Sequence, residues 1–374
     1  MMLTPVTPVE PLSLMDAEGS VAEESTLADV STEQRVNLTT PPDKDNELIK
    51  VAAQSREAGG SIAGVLAVQR KLIDEQKDYA WFVVLGLRAI EVALSPRHEG
   101  SLRILRSCDP VEKAMEMLEM ELIDEVFMLM RRADKVREAQ RSGLAIIELL
   151  TMDDTAWRDE VARKGGVKLI CNIAKRWCDH QQVMCQVMTC MSYLAAEDYI
   201  EVMLCQHDAL QHVTYVLKNH SENTELVTRA CLALLNLTVC ESHVEELLER
   251  DAIGLALQVL DNHAEDIHVV IIVCGILANM SVIPEARQVL VDDGLFPRIA
   301  SVMRMDPFNA VLQVAALKAI VNYATKKNYY DLMEREDTGI VTLVGRMMVD
   351  HPWDQGVQKY GNLFLGRHQS CWMS

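Results

Sequence analysis

The stretch Thr224–Glu241 reads TELVTRACLALLNLTVCE, and a single polar residue, Asn236, stands at its apolar centre. Moving forward by 43 residues gives Asn279 within ILANM, and another 43 residues give Asn322 within AIVNY. Moving back by 43 residues gives Tyr193 within MSYL. A sequence period of roughly 40–47 residues is typical of a solenoid built from repeated helical units. The sequence therefore predicts a helical repeat scaffold, and the polar position gives its register.

The same pattern of elements recurs around each of these polar positions. A short helix is followed by a glycine or another small residue, then by a helix of medium length, a loop and a long apolar helix. In the third unit the predicted helices are Trp157–Lys164, Val167–Trp177 and Gln182–Ala196. A small residue at the corner ends one helix and lets the next cross it steeply. The predicted corners are Gly165-Gly166, Ala252, Asp293-Gly294 and Thr338-Gly339.

Three corner phrases carry a resemblance to a known family. They are GGVKLI from Gly165, DAIGLAL from Asp251 and DGLFPRI from Asp293, and each precedes a third helix of the ALLNL type. Three helices per unit, with a short first helix, resemble the armadillo repeat; a two-helix HEAT array is the alternative. The resemblance covers residues 43–367 and is strongest over Val161–Asp350. It implies an all-α fold, a right-handed α-solenoid of about seven three-helix armadillo-like repeats.

The first 42 residues differ from the rest of the chain. They contain seven acidic residues against one basic residue, several prolines and no apolar period. Such a segment cannot bury enough apolar surface to offset its conformational entropy. The sequence therefore predicts a disordered acidic tail at 1–42 and a repeat solenoid at 43–374. Three Thr-Pro steps in the tail leave open proline-directed phosphorylation.

Charge limits the class of partner. The chain has 36 basic and 55 acidic residues, which gives a net charge of −19. A nucleic-acid partner is held by a basic surface, so this balance disfavours one. A basic protein or peptide partner is favoured instead, because opposite charges attract at long range.

One uncharged run, Ile267 to Pro284, is long enough to be considered as a membrane span. It contains His268, Gly275 and Asn279 and keeps the repeat register, so we predict a buried central helix and no membrane insertion. The ten cysteines are scattered through helical segments, and the first 30 residues lack an apolar secretory core. These features predict reduced thiols and a cytoplasmic location, with nuclear or cytoskeletal association left open.

The polar position is the candidate binding site. In chain order it holds Glu91, Glu148, Tyr193, Asn236, Asn279, Asn322 and Asn362. In family members that resemble importin-α, the Asn hydrogen-bonds the backbone of an extended peptide. The resemblance therefore implies that the four Asn residues, with Tyr193 and Glu148, form a partner-binding ladder. In the alternative interpretation, each Asn only satisfies a carbonyl of a neighbouring helix.

The importin-type Trp, four residues before the Asn, is absent. Leu232, Gly275, Lys318 and Gln358 occupy those positions, so the pockets that hold lysine side chains between Trp rings are missing. A nuclear-import receptor is therefore disfavoured.

Motifs for metal binding or catalysis are weak. Cys171, Cys178, His180, Cys185 and Cys190 are soft ligands, but their spacing lacks a CxxC knuckle, so we predict no metal site and no cofactor. The chain shows no P-loop, nucleophile elbow or HExxH motif, so no catalytic residue is predicted. We predict a non-enzymatic scaffold or adaptor that binds an extended segment along its concave groove. A co-chaperone that holds an unfolded client segment is the alternative.

Overall fold

The computed structural model describes residues 122–239, 243–324, 327–335 and 338–372, together with Leu87. Within these ranges the chain is helical, with one 3-10 turn at Val321–Tyr323 and no β-strand. The helices are α1 (Leu122–Arg132), α2 (Arg137–Thr151), α3 (Thr155–Arg163), α4 (Gly166–Arg176), α5 (Gln181–Leu194), α6 (Asp198–Gln206), α7 (Ala209–Asn219), α8 (Thr224–Leu237), α9 (Val244–Glu249), α10 (Ala252–Asn262), α11 (Ile267–Met280), α12 (Pro284–Asp292), α13 (Leu295–Met305), α14 (Ala310–Ile320), α15 (Lys327–Met333), α16 (Ile340–Asp350) and α17 (Gln355–Trp372). The predicted tail at 1–42 and the first predicted repeat, apart from Leu87, lie outside the described residues.

The helices recur as triplets of short, medium and long members. The triplets α6–α8 and α9–α11 contain helices of 9, 11 and 14 residues and of 6, 11 and 14 residues. The triplets α12–α14 and α15–α17 follow the same order, and their middle helices again have 11 residues. A short first helix in every triplet distinguishes this three-helix repeat from a two-helix HEAT unit. The predicted all-α armadillo-like solenoid is confirmed.

The chain divides into two compact units, and the boundary between Ile173 and Ala174 falls within α4. In the first unit, Leu122, Val126 and Leu144 are fully or almost fully buried between α1 and α2. In the second unit, the third helices α5, α8, α11, α14 and α17 pack in that order, each against the next. This row of third helices positions the candidate site.

A left-handed backbone residue marks the corner before each middle helix. The positive φ angles belong to Gly165, Asp208, Asp251, Gly294 and Gly339. The sequence places one of these corners at Ala252, and this is wrong: Ala252 is the first residue of α10, and Asp251 makes the turn at φ 54°. Asp is one of the few residues other than Gly that tolerate this conformation, because its short polar side chain hydrogen-bonds locally.

Polar caps start the third helices. The side chains of Asn223, Asp266, Asn309 and Asp354 each accept a hydrogen bond from a backbone N–H in the first turn. These bonds satisfy donors that a helix N-terminus leaves without a partner within the helix. The caps are 43, 43 and 45 residues apart, so the last described repeat is two residues longer than those before it.

Helix α11 is the apolar centre of the second unit. Its residues Val269, Val270, Val273 and Ile276 are completely buried, because neighbouring helices cover it on nearly every side. The predicted buried central helix is thus α11. Among the described residues, no helix is both long and apolar enough to cross a membrane.

Candidate functional site

The predicted Asn ladder lies in the row of third helices. Asn236, near the end of α8, is 4% exposed, and its Nδ2 donates a hydrogen bond to the carbonyl oxygen of Ser192 in α5 at 2.9 Å. Its Oδ1 is buried and has no hydrogen-bond partner. The amide therefore connects two consecutive third helices through its nitrogen, while an acceptor oxygen stays available.

Asn279 and Asn322 make the same connection with a different acceptor. The Nδ2 of Asn279 donates to the hydroxyl of Thr238 and to the carbonyl oxygen of Leu235, both at 3.2 Å. The Nδ2 of Asn322 donates to the hydroxyl of Ser281 at 3.0 Å. Both Asn side chains are 2% exposed. This geometry is that of the alternative interpretation, in which the Asn residues satisfy the helix stack; their role in binding a partner stays a prediction.

Arg367, not Asn362, continues the ladder in α17. Asn362 is exposed, whereas Arg367 is buried and donates from Nη1 to the Oδ1 of Asn322 at 3.3 Å and to the carbonyl oxygen of Val321 at 3.1 Å. The placement of Asn362 in the polar position is therefore wrong. The reason is the longer last repeat, in which 45 residues separate Arg367 from Asn322.

Tyr193 and Glu148 are half-buried, so both keep surface that a partner could contact. Tyr193 lies at the end of α5 in the second unit, and Glu148 lies near the end of α2 in the first unit. Their binding roles stay predictions. Glu91 lies outside the described residues.

Beside the ladder, the third helices share two rows of accessible positions. Gln182, Glu225, His268 and Val311 lie in the first turns and are exposed. One turn later is a second row that changes from polar to apolar and then to charged. Its members are Cys185, Thr228, Ile271, Val314 and Lys359, of which Lys359 is exposed and the others half-buried. We call these two rows the third-helix face.

Cations occur on and beside the third-helix face. Arg229 donates to the hydroxyl of Thr189 in the preceding repeat and to Glu225 in its own helix at 3.0 Å. The Nζ of Lys318 lies 5.4 Å from the ring centre of Tyr360, a distance that permits a cation–π contact. The described part of this face therefore has no excess of acidic groups.

A second ladder, formed by histidines at the ends of the middle helices, was not recognised in the sequence. His220, His263 and His351 each place Nε2 within 2.7–2.9 Å of a carbonyl oxygen in the turn of the preceding repeat. Since a carbonyl only accepts, each Nε2 carries the proton. The signal was available, because His220 and His263 are 43 residues apart and both follow an Asn.

The cysteines do not assemble in the predicted way. The ligand atoms of Cys171, Cys178, His180, Cys185 and Cys190 do not come together as a group of three among the described residues. Deeper in the second unit, burial raises the pKa of the Cys231 and Cys274 thiols to about 12. These two thiols pack as small apolar groups and are unreactive at neutral pH.

No protein-family model and no curated protein matches the chain. Solved structures do match it. An engineered protein aligns with 89% of this chain and 87% of its own length at 16% identity and a TM-score of 0.64. A designed armadillo repeat protein, solved in complex with the peptide (KR)4, aligns with 66% of this chain and 99% of its own at 17% identity and a TM-score of 0.56.

A third structure belongs to the computationally designed armadillo repeat proteins for modular peptide recognition. It aligns with 66% of this chain and 98% of its own at 15% identity and a TM-score of 0.56. At these levels of identity the likenesses concern the fold.

Proposed function

We propose, from the armadillo-like repeat fold that this chain has, that it is a non-enzymatic scaffold that holds an extended segment of a partner protein along its third-helix face. The observation that carries the proposal is the register of that face. In successive third helices, equivalent positions such as Thr228, Ile271 and Val314 are half-buried and 43 residues apart. A face that repeats in this way suits an extended chain, whose side chains also recur at regular intervals.

The partner is basic in this proposal. The net charge of −19 attracts cations at long range, and one designed armadillo protein of similar fold was solved with the peptide (KR)4, which consists of lysine and arginine. The third-helix face itself holds Glu225 together with Arg229 and Lys359. The attraction therefore comes from the field of the whole chain, and the contacts on the face add shape and apolar burial.

We also place the protein in the cytoplasm as an adaptor. The support is the set of thiols that the second unit buries within its core, including Cys190, Cys231 and Cys274. Thiols of this kind are common in proteins of reducing compartments.

The test is direct binding of labelled peptides to the full chain. An eight-residue Lys/Arg peptide, a Glu/Asp peptide and a Gly/Ser peptide are titrated by fluorescence anisotropy at low and high salt. The basic peptide should bind most tightly and weaken with salt, because exposed charges are screened. Equal or tighter binding of the acidic peptide would overturn the basic partner. Suppression of a client's aggregation without binding any peptide would favour the co-chaperone instead.

A pair of valine variants locates the binding surface. Val311 is 65% exposed at the start of α14 on the third-helix face, and Val289 is 38% exposed on the first helix α12. Val311→Arg places a positive charge in the path of a basic segment and should weaken its binding by about tenfold or more, a change of about 1.4 kcal/mol. Val289→Arg adds the same charge elsewhere and controls for the change in net charge. Equal effects of the two variants would remove the third-helix face as the binding surface.

A further inference from the structure

Three chemically suitable metal ligands meet between two consecutive repeats. Glu201 and Cys205 lie in α6, the first helix of its repeat, and His243 directly precedes α9, the first helix of the next repeat. One carboxylate oxygen, the thiol sulfur and one imidazole nitrogen all lie within 4.8 Å of one another. Among the described residues, no other group of His, Cys, Asp and Glu side chains converges in this way.

The backbone brings the three side chains to one point. Glu201 and Cys205 are four residues apart in one helix, so they lie on the same face one turn from each other. Glu201 is 2% exposed and Cys205 is 7% exposed, so both point into the protein. The Nε2 of His243 is also buried, and it has no hydrogen-bond partner.

The distances fit a shared cation better than a direct bond. The Nε2 of His243 lies 3.7 Å from the Oε1 of Glu201, which is too long for a hydrogen bond. Two such atoms that bind one tetrahedral Zn²⁺ at 2.0–2.1 Å are separated by about 3.4 Å. A small inward movement of both side chains would therefore bring them to coordination distance.

We infer that Glu201, Cys205 and His243 form a binding site for Zn²⁺ that joins the first helices of two adjacent repeats. The sulfur and imidazole ligands select a borderline-soft transition metal over Mg²⁺ or Ca²⁺, which prefer oxygen ligands. Binding releases the proton of the Cys205 thiol to solvent, and the imidazole binds in its neutral form. A carboxylate, a thiolate and Zn²⁺ then sum to zero charge, as a buried site requires. Water supplies the fourth ligand.

The test measures metal binding by the full chain. After chelation and dialysis, the protein is titrated with Zn²⁺ against a chromophoric chelator, and with Mg²⁺ as a comparison. We expect one Zn²⁺ per chain, a higher melting temperature with Zn²⁺ than with Mg²⁺, and reversal by added chelator. With Co²⁺ as the spectroscopic probe, a thiolate-to-metal charge-transfer band should appear. Absence of both stoichiometric Zn²⁺ binding and the Co²⁺ band would overturn the site.

Variants separate this cluster from the other thiols and imidazoles. Cys205→Ser and His243→Gln should each weaken Zn²⁺ binding by at least about tenfold and reduce the Co²⁺ band. Cys185→Ser and His268→Gln, which change residues outside the cluster, are the matched controls and should leave both measurements unchanged. Circular dichroism reports whether Cys205→Ser folds; if it does not, His243→Gln and Glu201→Gln carry the test. An equal loss in the control variants, or none in the cluster variants, contradicts the assignment.

Discussion

The hydroxyl of Thr238 lies 3.2 Å from the amide nitrogen of Asn279, 41 residues further along the chain, and this bond ties α8 to α11. The same hydroxyl donates to the carbonyl oxygen of Leu235 at 2.8 Å and so caps the end of its own helix. Ser281 repeats both roles, accepting from Asn322 and donating to Ala278. Each Asn-x-Ser/Thr tripeptide is thus a two-sided connector: its Asn reaches back to one repeat, and its hydroxyl accepts from the next.

The first prediction tests this connector. Replacing Asn279 and Asn322 together by Ala should lower the free energy of unfolding by about 1–3 kcal/mol, because each net hydrogen bond contributes about 0.5–1.5 kcal/mol. Ala is a good helix former, so the helices themselves should persist. Denaturant unfolding measures the loss, and Asn262→Ala, an exposed Asn at the end of α10, is the control.

The same double variant distinguishes the two roles considered for the Asn residues. A purely structural role leaves the affinity for the basic peptide unchanged while the melting temperature falls. A role in gripping the peptide backbone lowers the affinity by roughly one to two powers of ten. Unchanged stability would contradict the connector and leave peptide binding as the reason for the period.

The sequence predicts the ladder because a polar residue in an apolar helix repeats at a fixed interval. It does not predict that the amides of Asn279 and Asn322 point to a hydroxyl, because that direction depends on how consecutive helices stack. The last repeat fails for a different reason. Two additional residues shift the polar position from the level of Asn362 to Arg367, and a register of 43 cannot detect a local insertion.

The corners and the cluster of three ligands show the same limit. Asp208 and Asp251 take the left-handed conformation in place of glycine, so a search for glycine misses these two turns. His243 is 38 residues from Cys205, and no short motif joins them. Their proximity is a consequence of the repeat stacking, which brings the start of one first helix beside the preceding one.

The second prediction compares two glycines inside or at the start of helices. A Cβ at Gly166 would lie 2.7 Å from the carbonyl oxygen of Val161 and 2.7 Å from the ring of Phe127. Gly166→Ala should therefore destabilise the protein by about 1–3 kcal/mol through overpacking. A Cβ at Gly345, within α16, would meet nothing within 4 Å, so Gly345→Ala should stabilise by about 0.5–1 kcal/mol. Thermal unfolding of both variants measures the difference, and equal shifts would contradict the packing at Gly166.

The third prediction concerns pH. Burial lowers the pKa of His212 in α7 below its ordinary value; Asp208 opposes this shift, and Lys175 and Arg250 add to it. The unfolded chain therefore binds this proton more readily than the folded chain does. The associated stability is fully present above the unfolded pKa of about 6.5 and is lost as the pH falls through the lower folded pKa.

The experiment is denaturant unfolding at several pH values between neutral and mildly acidic. His212→Gln should remove part of the acid destabilisation, so the difference in stability between wild type and variant should change with pH. His268→Gln alters an exposed histidine and should leave the pH profile as it is. Parallel profiles for wild type and His212→Gln would contradict the effect of burial.

The fourth prediction concerns a buried glutamine that joins a middle helix to a third helix. Gln313 in α14 is 1% exposed, and its Nε2 donates to the carbonyl oxygens of Met303 at 3.1 Å and Asp306 at 2.8 Å. Gln140 and Gln358 make the corresponding pairs of bonds in their own repeats. One side chain therefore satisfies carbonyls that the end of the middle helix leaves without a helical partner.

Gln313→Leu keeps the volume of the side chain but removes both bonds, so carbonyl oxygens of Met303 and Asp306 lose this donor. Leaving a buried acceptor without a donor costs about 1–3 kcal/mol, and we expect a loss of stability in that range. Gln211→Leu, on the exposed side of α7, introduces the same substitution without touching such a bond and should change stability by less than about 0.5 kcal/mol. Hydrogen exchange adds a local measurement: the amides at the end of α13 and the start of α14 should exchange faster in Gln313→Leu. Equal stability of the two variants would show that the contact between the helices does not depend on this amide.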